Sequence, residues 1–315
     1  MVLGLLAIPQ WPALRQEHIR HAHPAVISFR HLKKAFGPKV ILRDVSFDVE
    51  DGEVFFIIGQ SGAGKSVMIK HLIGLLAPDD GEIWLDGEEI SKFSEKQMYD
   101  VRMKCAMVFQ HSTLFDSMSC IDNVALPLRK HKNLSVKRAR EEARDRLAQV
   151  HMTRYADRFP SELGDGMQKR VAIARALTLQ PRYVLFDEPT TSLDPVSARR
   201  VDVLIRELSD TLGVTSIVVS HDLTSIFSIA DRIVMLYQGF VRKLGTPAEF
   251  KDSGDPIIDQ FINGRADGRS TEFSFQSSVF GHSRVSVNRG EVRCSASRRS
   301  VLGLLGRGLG ARRSG

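Results

Sequence analysis

Apolar and polar positions change their period several times along this chain, and each change marks an element. From Val26 to Phe36 and from Val40 to Val49 apolar residues alternate with polar ones, which predicts two short strands turned at Gly37-Pro38. Val54-Phe55-Phe56-Ile57-Ile58 is apolar without a break, the pattern of a strand covered on both faces. The glycine-rich stretch GQSGAGKS, Gly59 to Ser66, follows. Met68, Ile69, Leu72, Ile73, Leu75 and Leu76 then recur at helical spacing. Pro78-Asp79-Asp80-Gly81 predicts a turn, Glu82 to Leu85 a strand ahead of Asp86-Gly87, and Ser94 with Gln97 a capped helix to about Met103. A strand over Cys105 to Phe109 ends at Gln110.

The stretch from about Ser112 to Phe159 reads mostly helical. Within it Ser135 to Val150 is strongly charged, with Val136, Ala139, Ala143, Leu147 and Val150 three or four apart, so the charges belong to a solvated helix face. After Ser161 to Met167 the pattern predicts a helix from Gln168 to Leu179. A buried strand over Tyr183 to Phe186 ends in Asp187-Glu188-Pro189. A helix over Pro195 to Leu212 leads to a strand over Thr215 to Ser220, with His221 at its end. Strands over Ile233 to Tyr237 and Phe240 to Leu244 flank Gln238-Gly239, and short helices near Pro247 and Pro256 close the ordered pattern. Strands alternating with helices predict an α/β fold with a parallel sheet and right-handed crossovers. Ligands of such sheets collect at the carboxyl ends of strands. The phosphate-loop pattern, Asp187-Glu188 and His221 all lie at such ends and are expected to share one crevice.

Composition narrows the picture. The chain has 315 residues, 43% of them hydrophobic, which is ample for a core. Its net charge of +7 suggests nucleic acid until the charges are located. From Arg265 onward there are ten Arg, no Lys and three acids, so the tail carries the whole excess and the body is neutral. Cys105, Cys120 and Cys294 lack metal-like spacing and fit a reducing cytoplasm. No apolar run reaches the roughly 18 residues of a membrane span. The early VLGLLAIP lacks a basic start, which argues against a signal peptide. Residues 1–25 are expected to be a poorly ordered extension, 26–264 the folded domain with a helical part over about 112–165, and 265–315 a disordered tail rich in Ser, Gly and Arg.

The candidate chemistry starts at GQSGAGKS. Strand, glycine-rich turn and helix are the setting a phosphate-binding loop requires. Its glycines allow successive N–H groups to face phosphate oxygens, and the following helix adds its positive end. Lys65 can reach the β- and γ-phosphates, and the Ser66 hydroxyl can ligate Mg²⁺. Taken singly, Asp187-Glu188 is equally a solvated strand end, and His221 and Gln110 are ordinary polar residues.

Order and type together are more specific. Over about Val26 to Gly264 the chain resembles the ATP-binding subunits of ABC transporters. The motifs are GQSGAGKS (Walker A), Gln110 (Q-loop), LGDGMQKR (signature), VLFDEP (Walker B), Ser192-Leu193-Asp194 (D-loop) and His221 (switch). The resemblance implies an ABC ATPase fold: a parallel RecA-like core, an antiparallel β subdomain and a helical subdomain. It implies ATP and Mg²⁺ as cofactors, held by Gly59, Gln60, Ser61, Gly62, Ala63, Gly64, Lys65, Ser66 and Val67, with Ser66, Asp187 and Gln110 at the metal. It further implies Glu188 as the carboxylate that polarises water, His221 at the γ-phosphate, and Phe36 stacked on adenine, although Phe36 is also readable as core. Gly164, Asp165, Gly166 and Asp194 would act across a homodimer, closing over the ATP of a second copy.

Two departures stand out. The usual Leu-Ser-Gly-Gly is Leu163-Gly164-Asp165-Gly166 here, so a hydroxyl is lost and a negative charge arrives near a polyanion. Asp165 is expected to point away from phosphate or to pair with Lys169 or Arg170. Val67 replaces a hydroxyl residue common in relatives.

Within the family the chain is similar to the Mla/MCE-associated, MlaF-like ATPases of phospholipid trafficking. VFQHSTLFDSMSCIDNVALPLR, GMQKRVAIARAL, GVTSIVVSHDLTSIFSIADRIVMLYQG and FINGRADG carry this likeness. It implies an MlaE-type permease, an MCE-domain substrate carrier, a STAS-domain regulator, and a peripheral place on the cytoplasmic face of the inner membrane. An amino-acid or methionine importer ATPase is the alternative inside the class. A soluble, non-transport ABC protein is the alternative outside it.

Overall fold

The computed structural model describes residues 25–263. The extension and tail expected over 1–25 and 265–315 lie outside these residues, Ala25 excepted.

Ten strands of the described chain form one mixed sheet. They are β1 (Ala25–Phe36), β2 (Lys39–Glu50), β3 (Val54–Gly59), β4 (Asp80–Leu85), β5 (Glu88–Glu89), β6 (Cys105–Val108), β7 (Tyr183–Asp187), β8 (Thr215–Val219), β9 (Arg232–Tyr237) and β10 (Phe240–Gly245), ordered β5-β4-β1-β2-β10-β9-β3-β8-β7-β6. From β9 to β6 every pairing is parallel, whereas β2, β1, β4 and β5 pair antiparallel. A single bridge, Phe240 to Asp44, joins the two regions.

The helices are α1 (Lys65–Leu72), α2 (Glu95–Lys104), α3 (Cys120–His131), α4 (Val136–Gln149), α5 (Asp165–Leu177), α6 (Pro195–Leu212), α7 (Leu223–Ile229), α8 (Pro247–Lys251) and α9 (Pro256–Asn263). Strand side chains alternate between two faces, and here both faces are buried. Phe56, Ile58, Val184, Phe186 and Val218 meet a core under α3 to α7. Phe55, Ile57, Leu185, Ile217 and Val219 meet a second core built with β1, β2, α1 and α2. Each fully buried Phe or Ile stabilises by about 1.5–3 kcal/mol, so the unbroken apolar runs are what holds the sheet between its layers.

Several details differ from the sequence pattern, among them the short β5, which was not expected. α1 ends at Leu72, not at Leu76. Gly74 takes φ +66°, and a Cβ there would lie 2.6 Å from Met98 Cε, so the chain turns where α2 crowds it and Leu75 is left exposed. α5 begins at Asp165 and ends at Leu177, which makes Gly-Asp-Gly the start of a helix rather than a preceding turn. Val136, at the first position of α4, is exposed, while Ala139, Ala143, Leu147 and Val150 are buried. α7 lacked a clear period, and forms because Asp222 caps it, accepting from the N–H groups of Thr224 at 2.9 Å and Ser225 at 3.4 Å.

Candidate active site

β3 delivers the chain into the loop Gly59–Gly64, and α1 starts at Lys65. Gly64 is required twice over. Its φ is +97°, and a Cβ would meet Leu42 Cδ2 at 2.7 Å. Gln60, Ser61 and Gly62 are exposed, and Ala63 closes the turn by donating its N–H to the Gln60 carbonyl at 3.1 Å. The Lys65 side chain is buried and folds back over the loop, donating to the carbonyls of Gly59 at 2.9 Å and Gln60 at 3.2 Å. An ammonium has three protons, so a third remains to meet a phosphate oxygen. Burial pushes the Lys65 pKa down, while the charges of Glu188 and Asp187 oppose the shift. Val67 packs against the second core, so an apolar residue suits the position.

Across the sheet, β7 and β8 bring up the acids. Asp187 pairs in register with Val219, and the Ser66 hydroxyl donates to Asp187 Oδ1 at 2.6 Å. Glu188 stands just past the strand at φ +52°, a left-handed geometry that costs a side-chain-bearing residue of order 1–3 kcal/mol. Its N–H donates to the Val219 carbonyl at 2.9 Å. Its Oε2 accepts from the Thr191 hydroxyl at 2.9 Å and lies 2.7 Å from His221 Nδ1. The three strand ends therefore meet in one crevice. The hydroxyl and carboxylate of Ser66 and Asp187 are a hard oxygen pair suited to Mg²⁺ completed by phosphate and water oxygens.

Val108 pairs with Phe186, so the chain leaves β6 at Phe109-Gln110 beside Asp187-Glu188. Gln110 is exposed, and its carbonyl accepts from Lys169 Nζ at 2.6 Å. Lys169 also donates to the Phe109 carbonyl at 3.0 Å and is only 2% exposed. Burial pushes its pKa down to about 8, against the opposing charges of Asp165 and Asp187. The expected pairing of Asp165 is thereby corrected. Among the described residues Asp165 forms no ion pair, because the buried ammonium of Lys169 is drawn to loop carbonyls and Arg170 reaches the Val150 carbonyl at 3.5 Å. Asp165 stands exposed in the first turn of α5, where its charge complements the helix end.

The remaining expected residues lie elsewhere in the fold. Gly164 is the N-cap residue of α5, and Gly166 packs on α6 so closely that a Cβ would lie 2.8 Å from Ser197 Cβ. Asp194 caps α6, accepting from the N–H groups of Val196 and Ser197 at 3.0 Å each, and the Ser197 hydrogen bonds hold its carboxyl below the usual range. Among the described residues no hydrogen bond or ion pair joins Gly164, Asp165, Gly166 or Asp194 to the loop at 59–67. Phe36 is 46% exposed, with Lys34 Nζ 5.5 Å from its ring centroid, so it is not core.

Several residues at the site escaped sequence reasoning. Thr191 follows Glu188 by three residues but looks like any loop threonine. Lys169 was expected only as a partner of Asp165, not as a donor to the carbonyls of Phe109 and Gln110. Arg199 of α6 reaches Asp222 at 2.6 Å and Ser225 at 3.0 Å, tying that helix to the residue after His221. Only spatial proximity reveals these roles.

A glycine loop on a helix end, facing a Mg²⁺-suited oxygen pair and an oriented glutamate at the tips of a parallel sheet, defines a phosphate-loop nucleotide hydrolase. Residues 42–191 match the family described as ABC transporter. An intermembrane phospholipid transport system ATP-binding protein, MlaF, of Haemophilus influenzae is 38% identical over 243 residues, covering 77% of this chain and 92% of that protein. A probable ribonucleotide transport ATP-binding protein of Mycobacterium leprae is 37% identical over 242 residues, covering 77% of this chain and 70% of that protein. Among solved structures, cbiO1 of Clostridium perfringens, part of an ABC transporter complex, superposes with a TM-score of 0.68 at 26% identity over 77% of this chain and 96% of that one. The dimeric ATP-binding cassette MJ0796, in a post-hydrolysis state with ADP and Pi, gives 0.64 at 30% identity over 70% and 98%. This chain belongs to the ABC transporter family, as an ATP-hydrolysing ATP-binding subunit.

Proposed function

We propose that this chain powers phospholipid movement through separate membrane subunits, by ATP hydrolysis at the crevice of Lys65, Ser66, Asp187, Glu188 and His221. The observation that carries the hydrolytic part is Glu188, held by Thr191 and His221 on the strand tip beside the Ser66–Asp187 pair. Loop amides and Lys65 neutralise the phosphates, with Gly59 to Val67 forming the cradle. Ser66 and Asp187 would hold Mg²⁺, with Gln110 near it, and the ion when bound would supply charge neutralisation at the phosphates. Glu188 accepts a proton from the attacking water, and its left-handed backbone and two side-chain neighbours aim the acceptor oxygen. His221, already beside Glu188, reaches the γ-phosphate, and Phe36 stacks on adenine.

The signature residues and Asp194 lie apart from their own loop, and the related cassette MJ0796 is dimeric. Both support a homodimer in which Gly164, Asp165 and Gly166 of one copy cover the nucleotide of the other. The phospholipid cargo is supported by the relatives from Haemophilus influenzae and Escherichia coli. It brings an MlaE-type permease, an MCE-domain carrier and a STAS-domain regulator as partners, at the cytoplasmic face of the membrane. Among the described residues no helix is long and apolar enough to cross a membrane, which fits a peripheral subunit. The name of the mycobacterial relative favours a second reading, nucleotide cargo.

Glu188→Gln tests the chemistry. Hydrolysis should fall at least about 100-fold while ATP affinity stays within a few-fold, because the substitution removes a base and keeps the shape. Retained turnover would sink the assignment. The cargo is tested by copurifying the full chain with its membrane partners into vesicles and following labelled phospholipid against labelled ribonucleotide.

A further inference from the structure

β1 ends on Phe36, and the lysine just before it is held in place. Lys34 and Phe36, two apart, share a face of the strand, and Lys34 Nζ lies 5.5 Å from the Phe36 ring centroid. The same ammonium donates to Asp79 Oδ1 at 2.7 Å and to the Ala77 carbonyl at 2.8 Å. Asp79 is tied to β1 twice more. Its Oδ2 accepts from the Ala35 N–H at 2.7 Å, and its own N–H donates to the Lys33 carbonyl at 2.9 Å. The hydrogen bonds from Lys34 and Ala35 hold the Asp79 carboxyl below its usual range. A phenylalanine has no hydrogen-bonding group in its side chain, so contact alone fixes its ring. Lys34 supplies a cation over that ring and still leaves nearly half of Phe36 exposed.

Residues 77–79 follow directly from the end of α1. The Lys70 carbonyl, in its last turn, accepts from the N–H groups of Leu75 and Leu76 at 2.9 and 3.3 Å. The buried His71 donates from Nδ1 to the Leu76 carbonyl at 2.8 Å, since a carbonyl only accepts. The first residues of the same helix are Lys65 and Ser66. One hydrogen-bonded path therefore runs from the phosphate loop along about 12 Å of helix, through residues 73–79, to the lysine beside the Phe36 ring. We propose that Lys34 and Asp79 are positioning residues for the base end of the nucleotide. They set the Phe36 ring at a fixed place relative to Lys65 and Ser66, so that the site favours a triphosphate that carries a base over a bare one. The inference rests on the reading of Phe36 as the adenine platform, and its test separates the two.

The full chain is compared with Lys34→Met, Lys34→Arg, Asp79→Asn, Phe36→Ala and the double variant of Lys34→Met with Phe36→Ala. KM and kcat for ATP, the inhibition constant of magnesium tripolyphosphate and the thermal midpoint are measured for each. Phe36→Ala should raise KM at least about fivefold through lost stacking. Lys34→Met should raise it about two- to fivefold, the worth of an exposed cation–π contact, with kcat within about twofold and tripolyphosphate inhibition unchanged. Asp79→Asn keeps the shape and frees the ammonium. It should raise KM about twofold, and it carries the test if Lys34→Met folds poorly. Lys34→Arg should return KM close to the parent's, because a guanidinium also stacks on an aromatic face. The double variant should show the KM of Phe36→Ala alone. An unchanged KM in both Lys34→Met and Asp79→Asn, with Phe36→Ala impaired, overturns the inference and leaves Phe36 on adenine. Tripolyphosphate inhibition that weakens in step with KM also overturns it, because the phosphate loop itself would then be disturbed. So do losses that multiply in the double variant. Phe36→Ala at the parent KM removes the platform, and the inference with it.

Discussion

At the scale of single residues, the altered signature is the most direct place to ask what chemistry the chain has kept. A Cβ at Gly164 would meet nothing within 4 Å, so a serine fits there without adjustment. One hydrogen bond to a charged group is worth about 1.5 kcal/mol at the lower end, close to tenfold in rate. The pair Gly164→Ser with Asp165→Gly should therefore raise kcat about three- to tenfold at saturating ATP. An unchanged kcat would show that the second copy already satisfies the γ-phosphate by other means. Glu53 poses a different question. It is 7% exposed, its Oε1 lies 3.2 Å from Arg232, and its Oε2 is buried without a partner. Burial pushes its pKa up to about 7, outweighing the Glu50 N–H and Arg232, so folding favours the protonated acid. The stabilisation it brings is full below the ordinary carboxylate range and is lost as pH rises through about 7. The total is on the order of 3 kcal/mol. Glu53→Gln should unfold at higher urea than the parent at pH 8 and show no such advantage at pH 5. Equal gains at both pH values would refute the argument.

At the scale of elements, the contact between α5 and α6 sets the relation of signature to D-loop. Gly166 allows the two helix starts to touch, with Ser197 Cβ 2.8 Å from where a Cβ would stand. Both contact atoms belong to rigid helix turns, so Gly166→Ala should destabilise by about 1–3 kcal/mol through overpacking, read as a lower urea midpoint at constant slope. Ser197→Gly in the same chain should recover much of the loss. If it recovers nothing, the strain lies elsewhere. Element boundaries illustrate how far a linear pattern reaches. β3, β7 and β8 were legible because burial on both faces leaves a local, unbroken apolar signature. The start of α5 was not, because Gly-Asp-Gly satisfies turn chemistry as well as helix capping.

At the scale of the whole molecule, one copy of each motif and a signature turn that makes no hydrogen bond to its own loop fit the proposed pairing of two chains. Glu188→Gln with Mg²⁺ and ATP should run at twice the monomer mass by light scattering, while the parent with ADP should not, because slowed hydrolysis traps the closed pair. A variant that stays monomeric under saturating ATP would count against a homodimer sandwich. The charge of the molecule belongs to this scale too. The excess of +7 sits in the segment from Arg265 on, so the ATPase body approaches its partners without a net field of its own.

Read as a string, the chain determined nine of its ten described strands (all but the two-residue β5) and most helices, the phosphate loop with Lys65 and Ser66, and the acids that end β7. These depend on neighbours a few residues away, and periodicity and turn chemistry record such neighbours directly. What only the tertiary structure decided is who meets whom across the fold. Lys169 finds Gln110, Glu188 meets His221, and Gly166 yields to Ser197. Each pairing joins residues at least thirty positions apart along the chain, so it exists only once the sheet has closed between its two cores.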